Sequence, residues 1–329
     1  MSSDAPPAKR ARTDDDAPST PIRSDIWHYD GSVVLQAANT QFRVHWSVLT
    51  MHSSVFKDMY SVPQPDVAGP TVENCPVVEL HDDPQDLEYV LKALYDPTLL
   101  SQQTLSFDIV SALVRLGRKY DFKNLRKAGT ERLLFENPRT LDEFDALQKR
   151  GGTPRRVEYQ KGYRFDVVNL LQDADIPSGL PHAYYQLVCT SPHTGMGHVR
   201  RSDGTYATLT PADMSRVALA TQKLHNAQFR PGYTLSWLHE LSSADQCSSV
   251  QSCAEIRFLF LQQLVTDDTL FIALFTCPEQ LTGLKSSFCA RCANNMTEKV
   301  KAGRQRAWDE LPGFFGLPSW DELKQSDEL

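Results

Sequence analysis

The chain has 329 residues, 41% of them hydrophobic and 23% charged, with a formal net charge of -7 and a pI near 5.7. That length accommodates two cores of ordinary size, because single domains hold roughly 100–200 residues. The acidic balance speaks against direct binding to nucleic acid or to an anionic membrane, since both demand a surplus of Lys and Arg.

Residues 1–23 are rich in Pro, Ser and Asp and carry almost no large apolar side chains, so they are expected to be disordered. Within them Pro6-Pro7-Ala8-Lys9-Arg10-Ala11-Arg12 places three cations, Lys9, Arg10 and Arg12, in an extended arm of the kind a nuclear-import signal presents. Thr13 precedes Asp14-Asp15-Asp16, a context that suits an acidophilic kinase; a phosphate there would oppose the basic run. No apolar leader opens the chain. The longest aliphatic and aromatic run, residues 270–275, is far too short for a bilayer, so residence in the nucleus or cytoplasm without membrane contact is expected. The seven Cys, spread from Cys75 to Cys292, read as reduced thiols.

A folded unit over residues 24–136 opens near Ser24-Asp25-Ile26-Trp27. Alternation in Val33, Leu35 and Ala37, then Phe42 and Val44, with Ala38-Asn39-Thr40 between, predicts a hairpin. After His45, Met51, Val55 and Met59 recur one turn apart, so a helix would align them as a stripe facing either the unit's own sheet or a partner. A short strand at 77–80 follows. Two amphipathic helices come next, one carrying Leu87, Val90, Leu91, Leu94 and Tyr95, the other Ile109, Val110, Leu113, Val114, Gly117 and Tyr120. Strands early and helices late make this an α+β unit.

Residues 137–164, with Asn137-Pro138 and the run from Lys149 to Arg156, are expected to form a linker. From 165 to 329 the signals are mainly helical. Phe165, Val168 and Leu171 begin them, and Thr210-Pro211-Ala212-Asp213 supplies a helix start before Met214, Val217, Ala218, Thr221, Leu224 and Phe229. Residues 253–265 are apolar on nearly every side and are expected in the middle of this second core. A last helix from about Ser287 places Cys289, Cys292, Ala293, Met296, Val300, Gly303, Ala307 and Leu311 on one stripe, ending at Pro312-Gly313.

Phe42-Arg43-Val44-His45-Trp46-Ser47-Val48-Leu49, followed by Ser53-Ser54-Val55-Phe56-Lys57-Asp58-Met59, resembles the hairpin-to-helix passage of the BTB/POZ family. Val78-Glu79-Leu80, the helix ending in Leu94-Tyr95, and the stretch from Leu116-Gly117-Arg118-Lys119-Tyr120 to Leu125 follow in the same order, the last resembling the family's fungal, basidiomycete-like branch. The tail with Arg304, Trp308, Phe315-Gly316-Leu317-Pro318 and Trp320 also resembles fungal members. The resemblance implies a small sheet capped by helices, followed here by a mainly α-helical C-terminal domain, and a non-enzymatic adaptor. It also implies association with a second copy or another BTB protein, possible roles in transcriptional regulation, and, as an alternative, a substrate receptor for a cullin-type ubiquitin ligase. Two departures stand out. Ser32 and Trp46 replace the aspartate and the basic residue that many dimeric BTB transcription factors pair, and no hydrophobic-x-Glu cullin element follows Val62.

Other motifs weigh less. Cys289-Ala290-Arg291-Cys292 has zinc-ligand spacing, with Cys253, Cys277, His225 or His239 as conceivable partners, but its place on an apolar helical stripe favours core thiols, so no metal or cofactor is expected. The segment from His193 to Arg201 offers glycines, histidines and paired arginines without a preceding strand, and reads as a surface loop. No catalytic residues are assigned, because nucleophile elbow, zinc-protease, dinucleotide and kinase patterns are missing. An unrecognised enzyme would have to rely on His182, His193 and His198. Trp308-Asp309-Glu310-Leu311 recurs as Trp320-Asp321-Glu322-Leu323, a repeat expected to close the helical domain.

Overall fold

A computed structural model of the chain describes residues 20–62, 69–151, 155–190, 198–239, 247–266 and 274–327. The import-like motif at Lys9, Arg10 and Arg12 lies outside the described residues, as do Thr13, His193 and most of the apolar run 270–275. The chain divides into two compact units between Asp96 and Pro97.

The first unit is built on a five-stranded sheet of order β1-β3-β2-β5-β4, comprising β1 (Ile22–Trp27), β2 (Val33–Ala37), β3 (Thr40–Val44), β4 (Thr71–Val72) and β5 (Cys75–Leu80). The expected hairpin is β2–β3. Ala37 faces Thr40, leaving a two-residue turn in which Ala38 takes a left-handed φ of 46°, the conformation such tight turns demand. β1 runs parallel to β3, and β5 parallel to β2. As the middle strand, β2 buries Val33, Val34 and Leu35 consecutively, so the alternation expected of a one-sided strand is replaced by burial on both faces. Among the described residues the unit also has the helices α1 (Trp46–His52), α2 (Ser54–Ser61) and α3 (Pro84–Tyr95). α3 starts with Asp83 accepting from the Gln85 and Asp86 N–H groups and Pro84 in the first turn, and buries Leu87, Val90 and Leu91.

The second unit is helical: α4 (Pro97–Ser101), α5 (Phe107–Lys119), α6 (Lys123–Glu136), α7 (Leu141–Lys149), α8 (Tyr163–Asp173), α9 (Leu180–Thr190), α10 (Pro211–Ala227), α11 (Val250–Thr266), α12 (Thr282–Ser287), α13 (Ala290–Asp309), α14 (Leu311–Phe314) and α15 (Trp320–Asp327). A two-stranded ribbon, β6 (His198–Arg200) with β7 (Tyr206–Thr208), interrupts them. This ribbon takes up the end of the segment expected as a loop, and Arg201, one of its two candidate anion-binding arginines, is ion-paired to Asp166 on α8.

Three expectations change. Residues 141–149, read as linker, form α7 behind a complete capping box of Thr140 and Glu143, and the Glu136 carboxylate accepts the Arg155 and Arg156 N–H groups, each at 2.9 Å. Local capping outweighs the basic run that follows it. Second, α11 does not run through the middle of a core: Phe258 and Leu259 are 65% and 61% exposed. Only its half-buried side, with Phe260, Leu261 and Leu264, packs against the cluster of Trp237, Met296 and Val300. Third, α13 starts at Ala290, with Cys289 as its N-cap residue, and Pro312-Gly313 falls inside the short α14.

The Trp repeat closes the unit as expected. Trp308 and Trp320 stack with ring centroids 5.5 Å apart, and Trp320 Nε1 donates to the Trp308 carbonyl at 2.7 Å. The helix start at Thr210 is also as read, its hydroxyl accepting the Asp213 N–H at 3.1 Å with Pro211 in the first turn.

Candidate interaction surface

In the first unit the passage from β3 into α1 is fixed by a polar anchor. His45 is the N-cap residue of α1, in extended conformation. Its backbone N–H donates to the Tyr95 hydroxyl at 2.9 Å, and its Nδ1 lies 2.9 Å from the same oxygen. Because the hydroxyl accepts from the N–H, its own hydrogen is free for Nδ1, which leaves Nε2–H to meet Asp30 Oδ1 at 3.1 Å. His28 stacks on the Tyr95 ring at 4.3 Å. Burial, and then the neighbouring His45, lower the His28 pKa against the pull of Asp30, and burial raises that of Tyr95. The end of α3 thereby holds the start of α1. A second tie runs from the residue just before β2: Ser32 Oγ accepts the Trp46 backbone N–H at 2.9 Å. Ser32 and Trp46 thus meet without any charge between them.

Beyond this anchor, α1 and α2 carry an exposed apolar set. Met51 is 76%, Tyr60 61% and Val62 62% exposed, while Val55, Met59 and Trp46 are half-buried. The Trp46 and Tyr60 rings lie 5.4 Å apart, joining the beginning of α1 to the end of α2. The stripe expected from Met51, Val55 and Met59 is not on one helix. Ser53 adopts φ -136° and ψ 124° between α1 and α2, and its hydroxyl accepts the Phe56 N–H at 3.0 Å, capping a new helix. Met51 belongs to α1, and Val55 and Met59 to α2. Serine three residues before Phe56 was the readable signal of that break.

The remaining candidates lie in the helical unit. His182 is 1% exposed; a neutral ring with the hydrogen on Nδ1 donates to Asn137 Oδ1 at 3.4 Å and accepts from Gln186 Nε2 at 3.2 Å. Burial pushes its pKa down to about 3, as befits a satisfied core histidine. His198 sits exposed on β6 against the Tyr206 ring. A recess bordered by Glu136, Tyr163, Arg164 and Gln186 has room for about 40 Å³, enough for water but not for an organic substrate. An open polar cleft of about 480 Å³ beside α8 contains Asp166 and Arg201, which neutralise one another.

Cys289 and Cys292 are not core thiols of a helical stripe: both are half-exposed, and their sulfurs converge with those of Cys253 and of Cys247, a residue the spacing alone did not bring in. The loop position of Cys289 ahead of α13 was masked by reading the helix as starting earlier.

Residues 30–136, from just before β2 to the end of α6, match the family model of the BTB/POZ domain. No curated protein matches the chain as a relative. The chain therefore carries a BTB/POZ domain, a protein-interaction module rather than a catalytic one, and a helical region follows it.

Proposed function

We propose that this chain is a non-enzymatic adaptor whose BTB/POZ domain binds a second copy of itself or a related domain, while the helical region holds a client protein. The observation that carries this reading is the exposed apolar set of Met51 on α1, Tyr60 on α2 and Val62 just after α2, inside the matched domain. Exposed apolar surface gains by leaving water, at roughly 25 cal/mol per Å² covered. Ser32 and Trp46 supply no charged pair, so association rests on apolar packing without the ion pair of many dimeric BTB transcription factors. No described helix is long and apolar enough to cross a membrane.

The same reading puts the protein in the nucleus or cytoplasm, with Lys9, Arg10 and Arg12 as import signal, and gives it a fungal-type ancestry and a role in transcriptional regulation. Co-expression of two differently tagged full-length copies tests it: each tag should recover the other, and replacing Met51 with Asp should abolish recovery. Recovery of a cullin in place of the second copy would instead support the ligase-receptor role. Failure to recover any BTB protein or cullin would contradict the proposal.

A further inference from the structure

Four of the seven cysteines meet at one point of the helical unit. Cys247 precedes α11, Cys253 lies in its first turn, Cys289 is the N-cap residue of α13, and Cys292 lies in the first turn of that helix. Their four sulfurs all lie within 4.8 Å of one another. Cys247 Sγ is 3.7 Å from Cys289 Sγ and 3.5 Å from Cys292 Sγ. None of the four is in a disulfide bond. Four sulfurs bound tetrahedrally at about 2.3 Å from a zinc ion would be about 3.8 Å apart, so the observed spacings are close to those of a tetrathiolate shell.

We infer that Cys247, Cys253, Cys289 and Cys292 form a structural zinc site that clips the start of α11 to the start of α13. The surroundings suit bound thiolates. The Cys289 N–H points at Cys253 Sγ across 3.4 Å, an outer hydrogen bond to a ligand sulfur. Two of the ligands sit at the N-terminal end of the 20-residue α13, where unpaired N–H groups and the helix dipole favour negative charge. Arg257 Nε donates to the Cys253 carbonyl at 3.3 Å, bringing a cation toward a shell whose net charge would be negative.

Cys289-x-x-Cys292 has the short spacing common in structural zinc sites, whereas Cys247 and Cys253 are separated by five residues and reach the same point through the turn into α11. With four protein sulfurs the shell is closed, leaving no position for substrate; the role is to hold the fold. It is needed where it stands, because α11 packs against Trp237, Met296 and Val300 on one side only, with Phe258 and Leu259 facing solvent. This inference is independent of what the BTB/POZ domain binds.

The test is metal analysis of the full-length chain, reduced and purified from zinc-supplemented medium, followed by cobalt titration of the metal-stripped protein. About one zinc per chain is expected, falling by about tenfold or more in Cys247→Ser and Cys292→Ser and unchanged in Cys277→Ser, whose sulfur is outside the cluster. Cobalt should give the thiolate charge-transfer and visible bands of a tetrahedral tetrathiolate, a readout on the native chain that stands even where a serine variant fails to fold. Zinc content that is negligible, or equal in Cys292→Ser and wild type, would overturn the site. So would a cobalt spectrum without thiolate bands, or a disulfide among the four cysteines in the freshly isolated protein.

Discussion

The Arg304 guanidinium, buried on α13, grips the Asp145 carboxylate of α7 with both terminal nitrogens and donates through Nε to the Phe275 carbonyl at 3.2 Å. A segment that reads as linker is thus tied by a forked ion pair to a helix more than 150 residues later. Arg304 is 6% exposed, so its charge is compensated by this partner rather than by water. Asp145→Ala should cost about 3–5 kcal/mol, the penalty of leaving a buried charge unpaired, and Arg304→Met in the same chain should recover much of it. Urea unfolding of wild type and of the single and double variants checks this.

Acid should destabilise the protein through His182. Its folded pKa of about 3 lies below the ordinary 6.5, so the fold holds the ring neutral while the unfolded chain takes up a proton. The stabilisation is fully present above pH 6.5 and is lost as the pH falls toward the folded value. The loss is roughly 1.4 kcal/mol per pH unit, or about 2 kcal/mol by pH 5. Stability measured from pH 7.5 to 5 should show a steeper fall in wild type than in His182→Gln. Parallel curves would contradict the assignment.

Tyr95→Phe removes the hydroxyl that meets the His45 N–H and Nδ1. A loss of about 1–3 kcal/mol is expected from leaving those groups without their partner. Because the Tyr95 hydroxyl holds the start of α1, the variant should also weaken association although it leaves the Met51, Tyr60 and Val62 side chains unchanged. Thermal unfolding combined with binding at one protein concentration separates the two effects.

Gly303 sits where α13 touches the backbone of Tyr233 and Thr234. A Cβ there would come within 2.4 Å of the Thr234 nitrogen and the Tyr233 carbonyl carbon, atoms that cannot swing aside. Gly303→Ala should therefore destabilise by about 1–3 kcal/mol despite alanine's better helix propensity. Gly283 in α12 has nothing within 4 Å of its would-be Cβ, so Gly283→Ala should be neutral or stabilising by up to about 1 kcal/mol. Calorimetry of both variants reads the contrast.

Features written in neighbouring residues were legible in the sequence. The β2–β3 hairpin, the helix start at Pro211, and the buried faces of α3 and α5 follow from period and capping. Features decided by distant contacts were not. An apolar helix such as α11 carries no mark of how much of it the rest of the chain will cover. Cys289-x-x-Cys292 with Cys253 among its candidate partners gave three thiols of the cluster, but Cys247 joins it only through the turn into α11, which no spacing rule encodes. For the BTB/POZ region the residues that carry the likeness are readable, whereas the break at Ser53, which splits Met51 from Val55 and Met59, is hidden by the even one-turn spacing of those three residues.

The adaptor reading is tested most directly by the mass of the full-length chain in solution, from light scattering across a range of concentrations, alone and with Met51 and Tyr60 both changed to Asp. Both side chains are mostly exposed, so the double variant should still fold, its melting temperature lowered only by the loss of the Trp46–Tyr60 contact and of the association itself. The expected result is a concentration-dependent mass above that of one chain for wild type and a single-chain mass for the variant. A wild-type chain that stays single at every concentration and takes up no BTB protein, or an oligomer indifferent to both substitutions, would contradict the account.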